Sequence, residues 1–136
     1  MPQIIARILD ARATALVARI VLTFPFWASG LGKLIDFQGG MAEMSHFGLE
    51  PAWAFNLATI VTQLGGSVLV IANRWAWLGA GALGVFTALA IPVAHDFWNR
   101  DEPARTVEFH FAMILIAVIG AFILAAVLSR RDAKER

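Results

Sequence analysis

The chain has 136 residues, 59% hydrophobic and 15% charged, with a formal net charge of +1. Soluble domains carry about 25% charged residues, so a surface facing water all round is excluded, and the near-zero net charge argues against nucleic acid or a strongly acidic partner. There is no cysteine and no tyrosine, which excludes disulfides, thiolate metal sites, cysteine-ligated clusters, thiol redox chemistry and tyrosine acid–base or radical chemistry. Redox work would need a borrowed cofactor.

In chain order, Ile4, Ile5, Ile8 and Leu9 share one helical face and Arg7 lies off it, the pattern of a short interfacial helix leading into the membrane. A cleaved signal peptide is the competing reading. It is disfavoured because the following apolar core is long and ends in Gly and Lys rather than a small-residue cleavage site. The first span covers about residues 13–35. Arg19 and Lys33 within it are separated by about 21 Å along a helix, against a hydrocarbon core of about 30 Å. Each can therefore reach its own interface as a snorkelling anchor, and Lys33 is alternatively a ligand group. Pro25 cannot donate to the carbonyl of Val21, so a kink is expected there. Beyond it the segment turns small and then charged: Phe26, Trp27, Ala28, Ser29, Gly30, Leu31, Gly32, Lys33.

Residues 36–50 are too polar to span. Met41, Met44, Phe47 and Leu49 give them an apolar side, so a short amphipathic or re-entrant segment is expected. The second span, 51–73, has no formal charge. Its Thr59, Gln63 and Gly66 recur on one helical side, which must face other helices. Arg74 marks a short turn. The third span, 75–94, carries Ala76, Ala80, Gly84 and Ala88 every fourth residue, a small-residue stripe for close helix approach. Pro92 ends or kinks it. Phe97 and Trp98 in the next loop suit the aromatic belt. The fourth span, about 106–129, begins with Glu108 and His110 and carries Ala117, Ala121 and Ala125, a stripe expected to pair with that of the third span. Arg130–Arg136 reads as a solvated tail. The whole is one transmembrane domain, an all-α integral membrane four-helix bundle.

With four spans both termini share a side. That side holds Arg7, Arg12, Arg74, Arg130, Arg131, Lys134 and Arg136, so the positive-inside rule is expected to place both termini and the 73–75 turn in the cytoplasm, and the expected location is the inner membrane. All three histidines (His46, His95, His110) and seven of the ten acidic residues (Asp36, Glu43, Glu50, Asp96, Asp101, Glu102, Glu108) then lie at the outer end. His95 sits at a helix end where it can meet Glu108 and His110 across the loop. This concentration is either a site or ordinary loop polarity.

A flat hydrophobic ligand such as a quinone wants aromatic walls, small residues and a few polar groups for its oxygens. Trp27, Ser29, Gly30, Lys33, Gln63, Glu108 and His110 are the candidate binding residues, with Phe26 as a wall. Haem between His95 and His110 is disfavoured, since both lie at the membrane edge. Met41, Met44 and His46 form a soft donor set suited to copper, although a Met-rich interfacial face explains them as well. No nucleotide loop, zinc helix motif or nucleophile elbow is present.

The run Arg19, Phe26, Gly30-x-x-Lys33-Leu34, Phe37, Gly48, Gly65-Gly66 and Arg74 resembles the DoxX family of small four-helix membrane proteins. The resemblance covers about residues 15–80. It continues more weakly through His95–Trp98 and Glu108-Phe109-His110-Phe111. Two departures stand out: Gln63 occupies a position where the family usually has Glu, and the fourth helix lacks a frequent Lys-Asn pair. The resemblance implies a membrane component of a quinone-linked oxidoreductase system, after the thiosulfate:quinone oxidoreductase subunit that names the family. The other class carried forward is a non-catalytic scaffold or assembly partner for another redox or stress-response protein. A transporter is less favoured, because no acidic residue lies near the midplane. The partners expected are the lipid bilayer, a redox protein and a second copy of the chain.

Overall fold

The computed structural model describes residues 1–134. Among them run six α-helices: α1 (Gln3–Asp10), α2 (Arg12–Ile35), α3 (Phe37–His46), α4 (Ala52–Ile71), α5 (Ala76–Ala94) and α6 (Ala104–Lys134), with one turn of 3-10 helix at Phe97–Asn99. Helices are what apolar runs of this length must form in lipid, where every backbone polar group has to be satisfied within its own segment. Four of them, α2, α4, α5 and α6, are long and apolar enough to cross a membrane. The chain is an all-α integral membrane bundle.

Helix α4 packs between α2 and α5, α6 lies on α5, and α3 lies on α4. The core is built from Phe26, Val70, Ala80, Leu83 and Phe122. Phe26 of α2 meets Phe122 of α6 edge to face, with centroids 5.3 Å apart. Large apolar side chains such as Val21, Val61, Val68, Ile116 and Leu124 point outward, the arrangement expected of a lipid-facing surface. Three hydroxyls are fully inside, and each is satisfied by its own helix. Thr23, Ser67 and Thr87 donate to the carbonyls of Arg19, Gln63 and Leu83 at 2.7, 2.6 and 2.7 Å, which removes the cost of an unpaired polar group in an apolar interior. Pro25 lies inside α2 without ending it, whereas α5 stops two residues after Pro92.

The closest helix approach differs from the one expected. A Cβ on Gly79 would stand 2.6 Å from the Gly66 carbonyl oxygen, and a Cβ on Gly66 would stand 3.3 Å from that of Gly79. The tight crossing is therefore between α4 and α5. The stripe on α5 divides: Ala76 and Ala80 are buried, while Ala88 is exposed. Toward α6, Gly84 faces the Phe122 side chain. On α6 itself Ala117 is exposed and Ala121 and Ala125 are only half-buried, while Ala112 and Phe122 are buried. An alanine stripe paired across α5 and α6 is thus corrected to a large aromatic knob set against a glycine.

The far end of α6 carries a tertiary contact of its own. The tail from Arg130 continues as helix to Lys134, and its last two residues, Glu135 and Arg136, lie outside the described residues. Asp132 lies 3.7 Å from the Arg19 guanidinium and accepts from the Asn73 amide at 3.4 Å. Arg19, expected as a lone snorkelling anchor, joins α2, the α4–α5 turn and α6 at one end of the bundle.

The two short helices lie at opposite ends. No residue of α1 is buried, and Ile4, Ile5, Ile8 and Leu9 are exposed along its apolar face. At the other end, Asp36 starts α3 by accepting from the Gly39 amide at 2.9 Å, as an N-cap carboxylate does. Gly40 and Met44 are buried, and Asn56 of α4 donates to the Phe37 carbonyl at 3.3 Å. This docks α3 over the end of α2 that carries Lys33.

Candidate functional site

Helices α4 and α5 touch at Gly66 and Gly79, near the turn that joins them, and a cavity of about 510 Å³ opens at the opposite end of the bundle. Its walls are mainly apolar: Phe26 from α2, Met44 from α3, Phe47 and Leu49 after it, Phe55 from α4, Phe86, Leu89 and Val93 from α5, and Leu115 from α6. Phe55, Leu89 and Val93 are also exposed on the outside of the isolated chain. The cavity is therefore open between α4 and α5, on the surface that faces lipid.

A few polar groups break the apolar lining. Lys33 reaches it from α2, with its ammonium 2.7 Å from Glu43 of α3 and donating to Ser29 at 3.3 Å. The Lys33 side chain is 12% exposed and that of Glu43 is 46% exposed, so the pair points its cation inward and its anion outward. Ser29, Lys33 and Glu43 also line a second cleft of about 310 Å³ with Gly32, Asp36, Gly39 and Gly40. The ion pair thus forms the partition between the membrane cavity and that cleft. From α4 come Thr59, Thr62 and Gln63. Gln63 is buried, and its amide oxygen has no hydrogen-bond partner among the described residues. Such an orphan costs about 1–3 kcal/mol of desolvation. From the end of α5 comes His95, whose Nδ1 lies 2.7 Å from Glu108 of α6.

Of the candidate residues, Ser29, Lys33 and Gln63 come together in the cavity wall. Glu108 is behind the wall, holding His95. Gly30 supports the wall by packing: a Cβ there would lie 2.9 Å from Leu64 and 3.2 Å from the Cβ of Gln63. Trp27 lies outside, its indole donating to the Ile20 carbonyl at 3.3 Å and its ring set edge-on to Phe24. His110 is exposed and lies beside Phe109. Met41 is half-buried, Met44 lines the cavity, and His46 is exposed against Phe47. The soft donors therefore split between the cavity and the outer surface. No group of three or more His, Asp or Glu side chains suited to a metal ion occurs among the described residues.

Glu43 and His95 also stand in the cavity wall. Glu43 was one acidic residue among many, and only the docking of α3 brings it to Lys33. The Asp36-x-x-Gly39 cap was the available signal that a helix begins there. His95 meets Glu108 across the loop, as its place at a helix end suggests, and it also lines the cavity.

Among known proteins, the chain is 27% identical over 107 residues to the low-affinity putrescine importer PlaP of Escherichia coli (strain K12), covering 72% of this chain and 23% of the importer. It is also 27% identical over 106 residues to the probable low-affinity putrescine importer PlaP of Klebsiella pneumoniae, covering 72% of this chain and 53% of that protein. The chain thus spans about a quarter of the first relative and about half of the second. No solved structure matches it. The DoxX family model matches residues 14–96, which hold α2 to α5, the Lys33–Glu43 pair, Gln63 and His95, and the chain belongs to the DoxX family.

Proposed function

We propose that this protein is the membrane subunit of a quinone-linked oxidoreductase system, with a quinone headgroup held in the cavity between α4 and α5. The observation that carries this reading is an apolar cavity open toward lipid whose wall holds a buried amide, Gln63, and an ammonium, Lys33. A quinone supplies two-electron, two-proton chemistry when bound. The Gln63 amide can donate to a carbonyl oxygen and accept from a hydroxyl, so it serves either form of the ligand without a change of charge. Lys33, as an ammonium, adds a donor and no acceptor, and Ser29 and Glu43 fix it in place. The aromatic side chains Phe26, Phe47 and Phe86 supply flat walls, and the opening past Leu89 and Val93 leaves room for an apolar tail in the bilayer.

The orientation proposed is that of the positive-inside rule, with the Arg19–Asp132 end and both termini cytoplasmic in the inner membrane. A putrescine site is less well served. A diamine wants uncompensated carboxylates, whereas Glu43, the carboxylate in the cavity wall, is taken by Lys33.

The test is equilibrium titration of the purified protein with decylubiquinone, alongside native mass spectrometry for quinone retained from the membrane. Wild type is expected to bind saturably, and Gln63→Leu to bind about tenfold more weakly, the worth of one buried hydrogen bond. Absence of saturable binding, or a stable protein complex carrying no quinone, would favour the non-catalytic scaffold instead.

A further inference from the structure

We propose that the His95–Glu108 pair makes the cavity choose, according to pH, between the oxidised carbonyl form and the reduced hydroxyl form of a quinone-type ligand. This rests on the quinone reading of the cavity. His95 caps the end of α5 and lines the cavity, and its ring lies near Phe111, centroids 5.4 Å apart. Its Nδ1 is engaged by the Glu108 carboxylate at 2.7 Å. An ionised carboxylate only accepts hydrogen bonds, so the proton of the neutral ring sits on Nδ1 and Nε2 is left as a bare acceptor.

A bare Nε2 can take a hydrogen bond from a ligand hydroxyl and can offer none to a ligand carbonyl. When the ring gains its second proton, Nε2 becomes a donor. It then gives the carbonyl a bond that the neutral ring cannot supply, whereas a hydroxyl only exchanges donating for accepting. Glu108 balances that charge in place, which makes it a positioning residue: it sets the tautomer and holds the cation without touching the ligand. The charged groups around the ring keep fixed partners. Lys33 and Glu43, from α2 and α3, pair with each other across the cavity, and Asp96 and Arg100 pair at 2.8 Å beside the 3-10 turn. Gln63 donates and accepts at any pH. His95 is thus the wall group whose hydrogen-bonding sense reverses when its ring gains or loses a proton.

The test uses the full chain in lipid nanodiscs, titrated with decylubiquinone and with decylubiquinol at about pH 5.5 and about pH 8. The ratio of quinone to quinol affinity is expected to be about tenfold higher at the lower pH, the worth of the one hydrogen bond that the quinone gains. His110→Asn, changed at an exposed histidine away from the cavity, is expected to keep that shift. His95→Asn is expected to bind both ligands with a ratio that no longer moves with pH. Glu108→Gln frees the tautomer, because the amide can donate as well as accept, and is expected to shrink the shift. A wild-type ratio that stays constant while both ligands bind, or a shift that survives in His95→Asn, overturns the inference and leaves the quinone reading standing. Absence of binding by either ligand overturns both.

Discussion

Gly79→Val is expected to lower the thermal unfolding temperature in detergent more than Gly81→Val, two residues along the same helix. The valine Cβ at position 79 would sit 2.6 Å from the Gly66 carbonyl oxygen and 2.8 Å from the Leu69 Cβ. Neither atom belongs to the free end of a flexible side chain, so α4 and α5 would have to move apart. Overpacking of this kind costs about 1–3 kcal/mol, occasionally more. In lipid no hydrophobic force pulls the helices back together, since association rests on packing itself. At position 81 an added Cβ meets nothing within 4 Å, and the same substitution carries the same change in helix propensity there. The difference between the two variants therefore isolates the crossing. It should also appear in ligand binding, because the Gly66–Gly79 contact is the point from which α4 and α5 enclose the cavity. Intrinsic tryptophan fluorescence during a thermal ramp makes the comparison, and equal unfolding temperatures would contradict this account of the bundle.

The second large effect is on function. Lys33→Met is expected to weaken decylubiquinone binding by about 10- to 100-fold, the worth of a hydrogen bond from a charged donor. Its effect on stability should be small. Glu43 is 46% exposed in its side chain and loses its partner into water, and partly exposed ion pairs contribute about 0–1 kcal/mol. Glu43→Gln supplies the contrast. The Lys33 ammonium stays beside Ser29, 3.3 Å away, and remains available to the cavity, so affinity is expected to hold within a few-fold. Titrations of both variants against wild type, with unfolding temperatures measured in parallel, separate lost contact from lost fold. A Lys33→Met protein that binds as tightly as wild type would remove Lys33 from the site.

The four spanning helices were legible because lipid leaves an apolar run of that length little else to become. Helix α3 was legible as an amphipathic segment, and the His95–Glu108 meeting was legible because one short connection separates the two residues. Helix pairing was harder to read. In a water-soluble bundle the apolar stripe points inward, but here apolar residues line the outside too, as Val85 and Ile116 do. The regular Ala76–Ala88 spacing therefore drew attention to a face that is half exposed. The contact that fixes α4 against α5 rests on Gly66 and Gly79, one glycine from each helix, and their match in height is a tertiary fact. The partner of Lys33 was hidden for a similar reason. Asp36 is nearer in sequence but caps α3, and capping turns Glu43, one helical stretch later, toward the ammonium. Asp132 lay in a stretch whose charge suggested solvation, although its carboxylate is what Arg19 and Asn73 meet.

The central claim, a quinone headgroup between α4 and α5, is tested most directly by photolabelling the protein in native membranes with an azido-quinone and mapping the labelled peptides. The account predicts labels on the cavity walls, around Thr59–Gln63 and Phe86–Ala90, suppressed by excess decylubiquinone and weakened in Lys33→Met. Labels spread over outward positions such as Ile116 and Leu124, with no suppression by the competitor, would contradict it.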